Sequence, residues 1–465
     1  CYISSYLNSR GFETYIYDAE FNPKGEASIT IKEVSENIEL YLNQLNNLEN
    51  SLWQEIIRDI KSFSFDIVGI SVKTATFKAG LNIAKICKEI NPNSIIIFGG
   101  PHIACLPEDS IKYDYIDYGV IGEGEITMSE LLKSLEKGEE PNNVKGIIYK
   151  KNGKIIKTSP REPIKHLDEL PIPDHENIIN GKKYPPETHG EIITGRGCPY
   201  LCIFCASNKI WGRNVRFRSP EKVVDEIEYI KNKFGTNYFY IEDDTFTLKK
   251  SFAIEICNEI VKRKLDIKFS CETRANLLDK ELVKKLKMAG CDDISIGVES
   301  GSDETLEKIK KGINKNEIKN AFSIIKDVGG IKTSAFVMVG FPWEKRENMI
   351  NTIEFAKSLK PDRLIFSIVT PYPGTELFDY CERNHSNRLP KTEAWEEFFH
   401  QSGKINLTEL SKDDFEKTIR YLEEMILKYM ARKRIKDKKF LISRLKTYIK
   451  NPKKFISDLK IISSY

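Results

Sequence analysis

Residues 195–205 read Gly-Arg-Gly-Cys-Pro-Tyr-Leu-Cys-Ile-Phe-Cys, placing three of the chain's 10 cysteines at CxxxCxxC spacing. Three thiolates on one short loop match three irons of a cubic iron–sulfur cluster. The fourth iron is then open to a substrate or cosubstrate. Other uses of these cysteines fit less well. A structural zinc site wants four ligands, usually as two Cys or Cys/His pairs. No second pair is present, and the nearest histidine, His189, lies before the loop. A disulfide would leave one of the three cysteines odd. Cys87, Cys105, Cys257, Cys271, Cys291 and Cys381 fall in apolar patterns and read as small buried hydrophobes.

A chain of 465 residues is too long for one core and suggests two or three domains. From Glu191 onward, apolar stretches alternate with amphipathic ones. Strands are predicted at 191–194, 237–241, 267–271, 293–298, 333–339 and 363–369. Helices are predicted at about 220–234, 249–263, 279–288, 303–328 (in two parts) and 344–358. Upstream, DIVGISV (66–72), SIIIF (94–98) and YIDYGVI (115–121) read as strands. One helix follows the first of these, at about 76–90, and another carries Met128, Leu131, Leu132 and Leu135. This upstream alternation predicts a doubly wound parallel sheet that takes ligands at the carboxyl ends of its strands.

The chain opens on a helix at 2–10, stopped by Gly11, and a strand at 14–18. A helix that opens a parallel α/β domain should follow a strand. The first strand, near the middle of the sheet, is therefore expected to be missing, and the chain, which does not begin with Met, to be truncated. Residues 33–63 read as one long or broken helix. A connector at 141–188 holds a hairpin, 144–149 with 154–157 around Asn152-Gly153, and then Pro-rich extended stretches in which Asp174 and His175 are surface or hinge residues. Residues 401–465 read as helical. The predicted domains are thus 1–140, 141–188, 189–400 and a tail, 401–465.

The cysteine loop, with the aromatic Phe204 before its last Cys, resembles that of radical S-adenosylmethionine (radical SAM) enzymes. So do Gly297-Val298-Glu299-Ser300-Gly301-Ser302 and Thr370-Pro371-Tyr372-Pro373-Gly374-Thr375. The resemblance covers roughly 190–400 and implies a partial (β/α)6 barrel. It implies that Cys198, Cys202 and Cys205 hold a [4Fe-4S] cluster whose open iron binds S-adenosylmethionine. Glu242-Asp243-Asp244-Thr245 stands where the family has a GGE motif, a departure, and Asp243 would accept from the methionine ammonium. A plain helix N-cap is the competing reading. Arg274 would pair with the methionine carboxylate, with a surface salt bridge as its rival. Glu299 would accept from the ribose hydroxyls, and Gly340-Phe341-Pro342 would pack the adenine.

The loops SVKTAT (71–76), GGPH (99–102) and GEGE (122–125), in this order, resemble the cobalamin-binding domain that precedes many radical SAM domains. This is a Rossmann-like (flavodoxin-like) fold, and its glycines let backbone approach a flat macrocycle. The implied cobalamin contacts are Ser71, Thr74, Gly99, Gly100, His102, Gly122, Glu123 and Gly124. An ordinary flavodoxin-like domain would use the same glycines only for turns. No DxHxxG motif is present, so His102 is expected to cap or line the pocket rather than ligate cobalt.

The net charge of +4 hides an asymmetry: residues 428–460 hold 13 Lys/Arg against Asp437 and Asp458, so the remainder is acidic. The basic tail reads as a solvated helical face, with contact to a membrane surface or an acidic partner as the alternative. Nucleic acid is not indicated by a basic tail alone. No apolar run approaches ~18 residues, and the first residues do not resemble a signal peptide. Unpaired thiols and an oxygen-sensitive cluster suit a reducing cytoplasm. The resemblance implies a cobalamin-dependent radical SAM methyltransferase acting on an unactivated carbon, fed by an electron donor such as flavodoxin or ferredoxin. A cyclase or oxidoreductase using the same cofactors is the near rival, and a non-catalytic cobalamin or redox sensor the distant one. No motif names the substrate.

Overall fold

A computed structural model of the chain describes residues 1–19, 40, 42–391, 394–399 and 403–436. Its first sheet has the order β1 (Ile67–Ser71), β2 (Ile95–Gly99), β3 (Tyr118–Val120), β4 (Ile147–Lys151), β5 (Lys154–Lys157). The first three strands are parallel, in register Ile67↔Ile95 and Ile97↔Tyr118. β2 is β-branched and aromatic, and Ile96, Ile97 and Phe98 are buried, as a strand covered on both faces requires. The hairpin expected in the connector forms and adds to this sheet, β4 running antiparallel to β3. Its turn takes positive φ at both Asn152 (49°) and Gly153 (73°), the demand of a tight hairpin.

Three N-terminal expectations change. The opening helix spans Tyr2–Asn8. The stretch 14–18 is no strand of the sheet: only Ile16 pairs, with Ile178 in the connector. Its alternation has another use, since Tyr15 is exposed while the Tyr17 hydroxyl donates to Asp59 at 3.0 Å. Of the long helix, Ser51–Lys61 is helical, its Asn50 cap accepting from the Trp53 N–H and its Trp53, Ile56 and Ile60 facing the core. Residues 20–39 lie outside the described residues.

In the second half, β6 (Glu191–Ile192) is followed by a two-stranded ribbon, β7 (Gly195–Arg196) with β8 (Arg216–Phe217). Then come β9 (Tyr238–Ile241), β10 (Lys268–Thr273), β11 (Cys291–Glu299), β12 (Lys332–Val339) and β13 (Arg363–Ile368). The order β13-β12-β11-β10-β9-β6 is parallel throughout, an open six-stranded sheet as expected. Helices at Pro220–Phe234, Lys250–Lys262, Lys280–Met288, Asp303–Lys308, Lys315–Val328 and Arg346–Ser358 cover it. The first is representative. Pro220 opens it, Gly235 closes it at φ +73°, and Val223, Val224, Ile227 and Ile230 form its buried face.

Lys412–Lys436 is helical, with Phe415, Ile419, Leu422 and Ile426 buried and the Tyr429 hydroxyl donating to Pro361 O at 2.8 Å. Most of the basic stretch, 437–460, lies outside the described residues, so its expected contact does too. No helix among the described residues is long and apolar enough to cross a membrane.

Candidate active site between the two sheets

The ribbon β7–β8 brackets the cysteine loop. Gly197 sits at φ +102°, and a Cβ there would lie 2.7 Å from Asn214 O, so the loop's entry demands glycine. Ile203 is buried and pinned from both sides: its N–H donates to Ile309 O (3.1 Å) and its carbonyl accepts from Leu377 N (2.9 Å). Cys198 and Cys202 are half-buried and Cys205 is exposed. Burial pushes the Cys198 thiol above its ordinary value, and Asp244 and Cys202 push it further. Burial pushes the Cys205 thiol up to about 11, and Asp244, Cys202 and Cys198 add to this. No three Cys, His, Asp or Glu among the described residues gather tightly enough for a single ion. The surroundings suit thiolates: the Ser207 N–H donates to Cys205 Sγ at 3.5 Å, and Arg274 Nη1 approaches Cys202 Sγ at 3.7 Å. Three thiols with such donors fit a cluster held by three protein ligands.

The ends of the parallel strands surround this loop. After β9, Asp243 turns inward. It accepts from Thr194 N (2.7 Å), Thr194 Oγ1 (2.5 Å) and Gly195 N (3.3 Å). This diverts Thr194 from the sheet, so β6 is shorter than the predicted 191–194. Asp244 is the carboxylate that faces the cysteines, held by the Ser207 hydroxyl at 2.5 Å. After β10, burial pushes Glu272 up to about 7, with Glu242, Glu299 and Asp244 adding repulsion. Arg274 is buried, not a surface salt bridge. Its guanidinium lies 3.5 Å from the Tyr200 ring centroid and donates to the Lys311 carbonyl, and its Nε has no partner.

The β11–β12 register shifts between Gly297 and Glu299, and Glu299 takes a left-handed φ of 59°. The shift turns its carboxylate onto Lys311 Nζ at 2.6 Å, a buried pair. After β12, Glu344 accepts from the N–H groups of Gly340 (2.8 Å) and Phe341 (3.1 Å), and burial pushes it up to about 7. Phe341 and Trp343 stack at 5.3 Å, leaving Trp343 Nε1 and Glu344 Oε1 buried without partners. Buried unpaired polar atoms beside stacked rings fit a nucleoside-bearing ligand. Thr375, from the run after β13, caps the next helix by accepting from Phe378 N.

The first sheet's loops meet this site. Glu123 accepts from Arg196 of β7 at 3.0 Å. Burial raises Glu242, Glu191 adds to this, and Lys73 of the SVKTAT loop opposes it across the gap. Gly122, at φ +83°, opens onto free space, beside a cavity of 250 Å³ lined from both halves by Lys157, Lys209 and Trp211 among others. That is the backbone exposure a large flat ligand needs. The chain matches family models described as "Radical SAM superfamily" over 192–356 and "B12 binding domain" over 1–132. A Pyrococcus horikoshii protein called an uncharacterized methyltransferase is 36% identical, across 80% of this chain and 81% of its own.

The chain belongs to the cobalamin-binding radical SAM family.

Other relatives agree in architecture. An anaerobic magnesium-protoporphyrin IX monomethyl ester cyclase from Rubrivivax gelatinosus is 32% identical over 71% of this chain but only 61% of its own length. Among solved structures, the radical S-adenosylmethionine methyltransferase TsrM from Kitasatospora setae, with cobalamin and [4Fe-4S] cluster bound, superposes with a TM-score of 0.67. It is 18% identical, covering 84% of this chain and 72% of that one. The cobalamin-dependent radical enzyme OxsB superposes with a TM-score of 0.55 at 24% identity, over 80% of this chain and 54% of that one. This radical SAM enzyme therefore works with an iron–sulfur cluster, S-adenosylmethionine and cobalamin, the cofactor set its cysteine and glycine loops pointed to.

The remaining predicted residues take varied places. Ser71 is exposed, and a Cβ on Gly100 would lie 2.8 Å from Ser71 Oγ, so these two loops pack directly on each other beside half-buried Gly99. His102 is fully buried between Phe77 (4.2 Å) and Trp395 (5.5 Å), 3.3 Å from the Thr74 hydroxyl, and burial drops it to about 4. It therefore sits in an aromatic wedge rather than on an open wall. Gly124 faces the N-terminal helix: a Cβ would lie 2.7 Å from Ile3 Cδ1. Sequence reasoning missed the roles of Asp244, Glu344 and the Arg196–Arg216 pair, and the bonding of Lys311 to Glu299. The signals were present, in the second Asp of EDDT, in a Glu four residues beyond Gly340, and in an Arg inside GRGC.

Proposed function

We propose that this radical SAM enzyme is a methyltransferase acting on an unactivated carbon. The observation that carries this is the direct bonding of the corrinoid-facing GEGE loop to the strand that launches the cluster loop, Glu123 to Arg196 at 3.0 Å. Cofactors bound at the two loop sets would face one reaction space. The cluster there supplies the electron that opens S-adenosylmethionine, and the corrinoid supplies a carrier for a methyl group. Cys198, Cys202 and Cys205 would hold the cluster, and Arg274, 3.7 Å from Cys202 Sγ, would orient that thiolate. Asp244, rather than the inward-turned Asp243, accepts from the methionine ammonium. Glu299, clamped by Lys311, offers its remaining oxygen to the ribose hydroxyls. Phe341 and Trp343 pack the adenine. Gly122 and the SVKTAT and GGPH backbones take the corrin edge. These groups position reactants and exclude water, which is most of what radical chemistry asks of a protein. An acidic electron carrier such as flavodoxin or ferredoxin reduces the cluster, and the chain works in the cytoplasm.

The similarity to the cyclase favours a second reading, the same cofactors without methyl transfer. S-adenosylmethionine with an isotopically labelled methyl group, added with the reconstituted enzyme to an anaerobic metabolite extract, separates the two. Label is expected in a new product. Formation of 5′-deoxyadenosine with label only in methionine would overturn methyl transfer in favour of the cyclase reading.

A further inference from the structure

We propose that Glu123 and Glu125, with Arg196 and Arg216, form a brace that fixes the distance between the corrinoid-facing loops and the cluster loop. Glu123 is then a positioning residue rather than a corrinoid contact. The inference rests on the reading above of which cofactor each loop set receives.

Glu123, Glu125 and Arg196 are 9%, 3% and 4% exposed, and Arg216 is half-buried. Arg196 and Arg216 are cross-strand partners in β7–β8, one residue from each end of the loop they enclose. Arg196 donates to Glu123 Oε1 at 3.0 Å and to Glu125 Oε1 at 2.6 Å. Arg216 Nη1 reaches both oxygens of Glu123 at 2.9 Å and the Ile164 carbonyl at 2.7 Å, while its Nη2 reaches the Trp211 carbonyl at 3.0 Å. The Ile164 N–H completes Glu123 by donating to Oε2 at 2.6 Å. Two carboxylates meet two guanidiniums, so the buried charge balances. With both oxygens of Glu123 engaged, little acceptor capacity remains for the amides of a corrin.

Such an arrangement is weak evidence for stability, because desolvation offsets most of the attraction. Its distinguishing property is geometric: each planar guanidinium holds separate acceptors at a fixed separation, Arg196 spanning Glu123 and Glu125, and Arg216 spanning Glu123 and the Trp211 carbonyl. Each carboxylate–guanidinium contact has one end in the GEGE loop and the other two residues before Cys198 or eleven residues after Cys205. Any drift of one loop set relative to the other must break several charge-assisted bonds in an interior where unpaired charge is costly.

The test uses Glu125→Gln, which unbalances the charge, and Arg216→Lys, which keeps the charge but loses the fork. Hydrogen–deuterium exchange on the cofactor-free chain should speed up by about tenfold in residues 121–126 and 195–217 together in both variants. Amides of β10 to β12 should keep wild-type rates. In loaded protein, the spin–spin distance between cob(II)alamin and the reduced cluster should broaden in both variants. Uniform acceleration across the chain would mean a merely stabilising role and overturn the brace. So would unchanged exchange, or a wild-type Arg216→Lys. Wild-type protein that takes up no cobalamin would overturn the corrinoid reading instead, with the exchange result still deciding the brace.

Discussion

Two adjacent aspartates show how far side-chain direction outweighs motif position. Asp243 is buried to about 6% exposure and pushed up to about 6 by burial, against the three donors at Thr194 and Gly195. Asp243→Asn puts an amide N–H where donors converge and should cost about 1–3 kcal/mol of stability. Asp244→Asn should leave the thermal midpoint near wild type and weaken S-adenosylmethionine binding by about tenfold, or ~1.4 kcal/mol. Thermal denaturation and equilibrium binding on both variants check the pair, and the reverse pattern would restore Asp243 as the ligand. Glu344 makes a prediction in pH. Its folded value, about 7, lies above that of a free glutamate, so the protonated form favours folding. That contribution is complete below about pH 4 and is lost as pH rises through about 7. Replacing Glu344 with Gln removes this dependence. Relative to wild type, Glu344→Gln should therefore be more favourable at about pH 8 than at about pH 5, by on the order of 2 kcal/mol. Melting of the cofactor-free proteins at both pH values measures it, and an equal difference at the two would show an unperturbed carboxyl.

The six strands of the second sheet were legible because each is an apolar run bounded by amphipathic helices, and period alone separates them. The stretch 14–18 was not, because its alternating tyrosines mimic a half-buried strand while one faces water and another bonds Asp59. The hairpin was visible in Asn152-Gly153, but its membership of the first sheet depends on pairing with β3, which no local pattern states. The cysteines of the site were legible from spacing. The residues Lys311 and Asp244 stood in visible motifs, but their roles were not legible, because these come from a bulge and from a turned side chain. The bulge in β11 carries its own prediction. A Cβ on Gly297 would lie 2.5 Å from Glu299 Oε1 and 2.7 Å from Lys311 Nζ. Gly297→Ala should push this buried pair apart and cost about 1–3 kcal/mol. Urea unfolding reads the loss, and an unshifted midpoint would mean that the pair adjusts without strain.

At the scale of the molecule, a mixed sheet and a parallel sheet meet at their loop-bearing ends, joined by Glu123–Arg196 and by the Trp395–His102 contact. Neither loop set alone states a reaction. Together they place a cluster-bearing loop opposite glycine loops suited to a corrinoid, and this makes the reductive opening of S-adenosylmethionine the step on which the rest depends. The direct measurement is 5′-deoxyadenosine production by the full chain. The protein is reconstituted anaerobically with iron, sulfide and cobalamin, then given S-adenosylmethionine and a low-potential reductant. Wild type should retain cobalamin through gel filtration and form 5′-deoxyadenosine, and Cys202→Ala should form none. Wild-type protein that loads a cluster yet leaves S-adenosylmethionine intact, or Cys202→Ala that cleaves it as wild type does, would contradict the assignment.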